Sequence, residues 1–337
     1  MWCDLPGGID QLDIGLRFKG NVRPKTLHMF IPGSLDESQI ADLSTVLKDP
    51  KTLSAVFNEL LSVGSNVDFG FEVLDEKKNL YFTILQLEKT DLLLTKVVDG
   101  KNIAGTIISF QKAALDKLSG DHDYYFRMRI PLRGELRHLF SNESVPSESL
   151  FSHSFFRTKV VEFRVNEKRN YGDALRRLYP DIQSPRVEAI HFLLVRNIEA
   201  ELARSHADFN KMRRLEPGLW RGYLDGLTPA SAEKMIIYHW RARDDTKSSG
   251  KVPKNQEDFI ALCSFRQPRG NVLWFIIAVI LIGTMGNAVE AFLTKKIQDY
   301  FHWGMLCTQL TILGVMASLL VLLFTTFWLF KSIRARF

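Results

Sequence analysis

The sequence predicts a mainly β domain, an antiparallel sandwich or open barrel with helical inserts, followed by a C-terminal two-helix transmembrane hairpin. Three observations carry that expectation. About ten short runs between residues 1 and 266 are rich in β-branched and aromatic residues, and the clearest of them alternate with the period of two that marks a half-buried strand. Regular strand-helix alternation is missing, which argues against a doubly wound parallel sheet. Finally, 272–293 and 303–330 are almost wholly apolar, and Glu290 is the only Asp, Glu, Lys or Arg in either run. The averages of the 337-residue chain, a net charge of +6 and a mean hydropathy of -0.06, conceal this division.

Within 1–266 the alternation is strictest at 13–19 and 123–130. In the latter, Tyr124, Phe126, Met128 and Ile130 share one face, and Arg127 and Arg129 lie on the other. Further strands are expected at 26–31, 66–74, 79–87, 92–98, 103–110, 157–165, 189–195, 232–243 and 259–265, with hairpin turns at 76–79 and 98–101. Helical inserts are expected from Ser34 or Asp36 through Leu47, from Asp49-Pro50 through Leu61, at 170–179 and at 206–215. The stretch 187–202 satisfies both periods and reads as strand, then helix. A polar turn at 244–255 precedes the last strand, which leads through Gln267-Pro268-Arg269-Gly270 into the first apolar run.

Each apolar run is long enough to cross a bilayer, since roughly 20 helical residues span about 30 Å of hydrocarbon. The expected organisation is therefore a cytoplasmic β-rich sensor or regulatory domain over 1–266, a hairpin over 272–330 and a basic tail over 331–337. Residues 1–8 have no basic segment followed by an apolar one, so no signal peptide is expected. Lys251, Lys254, Arg266 and Arg269 precede the first span, and Lys331, Arg334 and Arg336 follow the second. Only Lys295 and Lys296 occupy the connection. This bias places both termini in the cytoplasm. Cys3, Cys263 and Cys307 are odd in number and suggest neither a disulfide framework nor a metal cluster.

Catalytic signatures are scarce. The chain lacks GxGxxG after a strand, GxxxxGK[ST], HExxH and GxSxG, so no enzyme activity, catalytic residue or cofactor is expected. Gly120-Asp121-His122-Asp123 has metal-ligating residue types, but a helix-to-strand junction also calls for polar turn residues. His138, His153, His191, His206 and His239 have no partner at ligand spacing.

Charge is distributed more informatively. Residues 1–120 carry 13 basic and 16 acidic residues, whereas 121–215 carry 17 and 13, and 14 of those 17 are arginines. Arg127, Arg129, Arg157, Lys159, Arg169, Arg176 and Arg177 could form a basic face for nucleic acid, an anionic nucleotide or lipid headgroups, because guanidinium forks bind phosphate bidentately. A solvated sheet face with local ion pairs is the alternative, since Glu162, Glu167 and Asp173 interleave with them.

In the apolar runs, Thr284, Asn287 and Glu290 continue a small and polar stripe begun by Gly283 and Gly286, and Thr311, Gly314 and Ser318 repeat it in the second run. Small faces let helices pack closely in lipid. Polar and ionisable groups usually face a bundle interior or water, so the stripe suggests an oligomer that lines a pore. Glu290, close to one end, can also reach the headgroups.

A cytoplasmic β-rich domain joined without slack, through Phe259-Ile260-Ala261-Leu262-Cys263-Ser264-Phe265-Arg266, to such a hairpin and a tail Lys331-Ser332-Ile333-Arg334-Ala335-Arg336-Phe337 resembles the two-transmembrane effector proteins of bacterial retron-type anti-phage systems. The resemblance covers the order of parts and no diagnostic motif. It implies a protein of the inner membrane, held inactive by a reverse transcriptase with its reverse-transcribed DNA. On release it would oligomerise and disrupt the membrane, an abortive-infection response. Two other readings are a membrane effector gated by a cyclic oligonucleotide bound at Arg127 and Arg129, and a non-toxic membrane-anchored scaffold.

Overall fold

The computed structural model describes residues 1–4, 10–20, 22–100, 102–144, 156–167, 172–180, 185, 187–206, 208–220, 222–224, 233–243, 259–268, 272–300 and 314. The chain divides into two compact units, Met1–Ser149 with Phe156–Pro268, and Leu150–Phe155 with Arg269–Phe337.

The first unit runs β1 (Trp2–Asp4), β2 (Asp10–Phe18), β3 (Leu27–Ile31), β4 (Ala41–Asp42), α1 (Pro50–Phe57), β5 (Ser62–Val67), β6 (Gly70–Leu74), β7 (Leu80–Leu85), β8 (Leu92–Asp99), β9 (Asn102–Phe110), α2 (Lys112–Asp116) and β10 (Tyr124–Pro131). It continues with α3 (Glu135–Leu139), β11 (Ser141–Ser144), β12 (Phe156–Val165), α4 (Asp173–Leu178), β13 (Ala189–Asn197), β14 (Glu201–Ser205), β15 (Lys211–Arg214), α5 (Pro217–Trp220), β16 (Met235–Arg243) and β17 (Phe259–Pro268). A ten-stranded sheet has the order β15-β16-β13-β1-β2-β10-β7-β6-β5, with β4 beside β10. Two smaller sheets, β11-β12-β17-β14 and β3-β9-β8, complete the unit.

Alternation along the strands sorts the core into layers. On one side of the large sheet, Trp2, Leu12, Ile130, Phe192, Leu194, Tyr238 and Trp240 share a cluster with Ile31 and Ile108 of one small sheet and Val161, Cys263 and Phe265 of the other. Phe126 and Met128 extend it beside Phe110. On the opposite side, Cys3, Tyr125, Val195 and Ile237 pack with Leu53 and Ala55 of α1 and with Leu215, Trp220, Tyr223 and Leu224. The large sheet is thus covered on both faces over much of its area, and β10 is buried along nearly its whole length.

The mainly β architecture is as the sequence predicts, but the sheets are mixed and not purely antiparallel. β1 pairs with β13, and β7 with β10, in parallel. Segments this far apart in the chain can lie side by side in either direction, and local alternation cannot tell which.

Among the inserts, Asp49 caps α1 by accepting from the Thr52 amide at 3.0 Å, with Pro50 at its first position. The helix ends at Asn58, which adopts the left-handed conformation, and not at Leu61. The expected helix from Ser34 to Leu47 is two short 3-10 turns, Glu37–Gln39 and Val46–Lys48, on either side of β4, because Ala41 and Asp42 pair with β10. The helix expected at 206–215 is replaced by β15, which pairs with β16. Residues 66–74 form the turn and one arm of a β5–β6 hairpin instead of a single strand. The helical part expected within 187–202 is the continuation of β13 and the start of β14.

In the second unit the structure describes α6 (Val272–Tyr300) and Gly314, which is helical. The first apolar run lies inside α6. Among the described residues no helix is long and apolar enough to cross a membrane. Residues 303–330, apart from Gly314, lie outside the described residues.

Candidate functional site

The densest polar constellation lies inside the first unit, under α5 and the segment that follows it. β2 and β10 pair with Asp13 opposite Arg129 and Gly15 opposite Arg127, so these side chains and Tyr125 share the face that meets Tyr223. Arg129 forks onto the Asp13 carboxylate, Nε to Oδ1 at 2.8 Å and Nη2 to Oδ2 at 3.1 Å, and Nη2 also donates to the Tyr223 carbonyl at 3.0 Å. Arg127 donates from Nε to the Tyr223 hydroxyl at 2.6 Å and from Nη1 to the Tyr125 hydroxyl at 2.8 Å. The Tyr223 hydroxyl in turn donates to Asp13 Oδ2 at 2.5 Å. Gly15 leaves the room this needs, since a Cβ there would meet the Tyr125 hydroxyl.

The charge states follow from competition between burial and partners. Burial alone would raise the Asp13 carboxyl, yet the Arg129 hydrogen bonds and the charges of Arg127 and Arg129 hold it below its ordinary range. Burial also opposes charge on Arg127, and the Tyr125 and Tyr223 hydroxyls with Asp13 outweigh it. Burial pushes the Tyr223 phenol well above its usual value and the neighbouring Cys3 thiol up to about 12. Two guanidiniums therefore share one carboxylate in the core. The arrangement has no nucleophile with an adjacent base, and each guanidinium is anchored by hydrogen bonds to internal acceptors. Its chemistry is structural: it ties the segment around Tyr223 to the middle of the large sheet.

The sequence-derived basic face is accordingly revised. Arg127, only 6% exposed, and the ion-paired Arg129 are core groups and present nothing to a partner. Arg157 is exposed at the start of β12, 3.6 Å from Glu143. Lys159, half-buried, lies two residues along the same strand. Arg176 and Arg177 are exposed on α4, whereas Arg169 lies outside the described residues. The structure thus brings together Arg157 and Lys159 on one strand and Arg176 and Arg177 on one helix.

On α6, Thr284, Asn287 and Glu290 follow one another at three-residue steps and are all exposed. Thr284 donates to the Leu281 carbonyl at 2.9 Å, the usual internal bond of a helical threonine. Gly314 would accept a Cβ without a clash. Thr311 and Ser318 lie outside the described residues. In the Gly120–Asp123 turn, His122 Nε2 is 2.8 Å from the Thr83 hydroxyl and its ring lies against Tyr124. Among the described residues no three His, Cys, Asp or Glu side chains are grouped to hold a metal ion.

Sequence pattern does not mark the contributions of Asp13 and Tyr223, although Asp13 sits on a strictly alternating strand whose charged face needs a partner. No protein-family model matches the chain, and neither a curated protein nor a solved structure does.

Proposed function

We propose that the chain is a membrane effector: a β-rich regulatory unit controls a C-terminal hairpin that inserts in the lipid bilayer, oligomerises and breaks its integrity. One observation carries the reading. Val279, Ile280, Leu281 and Ile282, consecutive on α6, are 53, 58, 55 and 48% exposed. Successive helical residues turn by about 100°, so four in a row cover the circumference, which supports a helix whose surroundings are apolar on every side. The sequence of 303–330 supplies a second such segment. The basic bias around the two runs orients both termini toward the cytoplasm.

In this reading the effector acts in the inner membrane as part of anti-phage defence. A nucleoprotein of the retron kind, reverse transcriptase with its reverse-transcribed DNA, restrains it until infection. Gating by a cyclic oligonucleotide at Arg127 and Arg129 is disfavoured, because both guanidiniums are engaged in the core. Producing the full chain alone, beside a form ending at Arg266, tests the reading through membrane potential. The full chain is expected to depolarise cells and the shorter form to leave them polarised. Intact potential with both would favour the non-toxic scaffold.

A further inference from the structure

A second basic surface lies at the β15-β16-β13 end of the large sheet. Antiparallel pairing sets Lys211 of β15 beside His239 of β16, and Arg241 of β16 beside His191 of β13. Directly paired residues point to the same side of a sheet. Arg213 follows Lys211 at a two-residue step, about 7 Å along the strand. Lys211, His191 and Arg241 are exposed. Arg213, by contrast, is drawn toward α1, donating to the Ala55 carbonyl at 3.3 Å with Glu216 at 3.9 Å. Among the described residues neither Lys211 nor Arg241 forms an ion pair. The imidazoles of His191 and His239 lie 5.2 Å apart with planes 22° from parallel, and their Nδ1 and Nε2 atoms are 3.0 Å apart.

The electrostatic consequence is visible at His239. Burial first, then the positive field of His191, Lys211, Arg241 and Arg213, lower it to about 4. Among the described residues, Lys211 and Arg241 form no ion pair, which leaves both cations available to an external anion.

We propose that this face of β13, β15 and β16 binds the phosphate backbone of a single-stranded nucleic acid. Lys211 of β15 and Arg241 of β16, cations on neighbouring strands, can contact successive phosphates of a phosphodiester chain, and the imidazole pair beside them provides a stacking platform for bases. Together these are the two elements of sequence-tolerant single-strand binding. An anionic lipid surface would also attract the cations, but interfacial binding needs apolar side chains beside them, and the exposed members of this face are Lys211, His191 and Arg241. The proposal deepens the reading of a nucleoprotein partner by naming its contact surface, and it does not require membrane insertion.

The test measures fluorescence anisotropy of a labelled oligothymidine of about 20 nucleotides with the full chain in detergent micelles, over a range of salt. The wild type is expected to bind, and Lys211→Glu with Arg241→Glu to weaken binding on the order of tenfold or more. Loss of two phosphate contacts should also reduce the log–log salt slope by about 1.4. An unchanged melting temperature establishes that the variant is folded; if it falls, Lys211→Gln with Arg241→Gln is read instead. Competition by a soluble short-chain phosphatidylserine forms the second arm. Failure of the wild type to bind, equal binding by the variant, or a loss confined to the lipid would overturn the proposal, and none of these readouts involves membrane potential.

Discussion

At the residue scale, the Asp13, Arg127, Arg129 and Tyr223 cluster decides how the interior tolerates charge. Removing one member of a buried pair costs about 3–5 kcal/mol, mostly because the other charge remains without compensation. Asp13→Asn should therefore destabilise the protein by that order, measured by chemical denaturation of the full chain in detergent. Tyr223→Phe leaves the ion pair intact and deletes one donor and one acceptor, so a smaller loss of about 1–3 kcal/mol is expected. Equal losses for the two variants would mean that the carboxylate is not the centre of the network. The Asp13 carboxyl also imposes a pH dependence. Its pKa in the fold lies below the ordinary value of 3.8, so its contribution is fully present above that value and is lost as the pH falls through the depressed one.

At the scale of elements, β16 carries a second titration of the same sign at higher pH. His239 is lowered from 6.5 to about 4 in the fold. The unfolded chain therefore takes up a proton near pH 6.5 that the folded chain accepts only near pH 4, and stability declines as the pH falls across that interval. His239→Asn should flatten the melting temperature between pH 6.5 and 4; an unchanged slope would assign the decline to other groups. The same element shows where sequence pattern stops. Strands whose alternation is strict, such as β2 and β10, are legible because one face of each meets an apolar layer. β15 is not: Lys211, Met212, Arg213 and Arg214 have no strand pattern of their own and become a strand by pairing with β16. Likewise, the 34–47 segment has the capping residue and apolar spacing of a helix, but the pairing of β4 with β10 overrides them. Arg127 and Arg129 were legible as a common face, though not as a buried one. Their cover comes from Tyr223, 94 or more residues away in the chain, and alternation reports which residues share a side, not what lies over it. The basic face of β13, β15 and β16 escaped for the same reason, since it is assembled from residues 191, 211 and 241 by register alone.

At the scale of the whole molecule, the two units differ in how they dispose their apolar residues. The first buries apolar residues from three sheets in shared layers. α6 instead leaves Val279 to Ile282, Met285 and Phe292 exposed, and Thr284, Asn287 and Glu290 are too few to make a polar face of the kind that suits a helix to water. Placing an arginine at the centre of a spanning helix costs about 2.5–3.5 kcal/mol of insertion free energy, whereas leucine and isoleucine each contribute a few tenths favourably. Ile280→Arg with Ile282→Arg should therefore shift the full chain from the membrane fraction toward the soluble or aggregated fraction and abolish depolarisation. The β-rich unit, whose core contains neither residue, should keep its protection from proteolysis. Asn287→Leu with Glu290→Leu makes the complementary change: insertion is retained or strengthened, but the polar groups expected to meet across an oligomer are gone. If these side chains line a leak, this second variant remains in the membrane without depolarising it. Depolarisation undiminished in the second variant would place the stripe outside any conducting path, and depolarisation surviving the arginine pair would remove insertion of α6 from the mechanism.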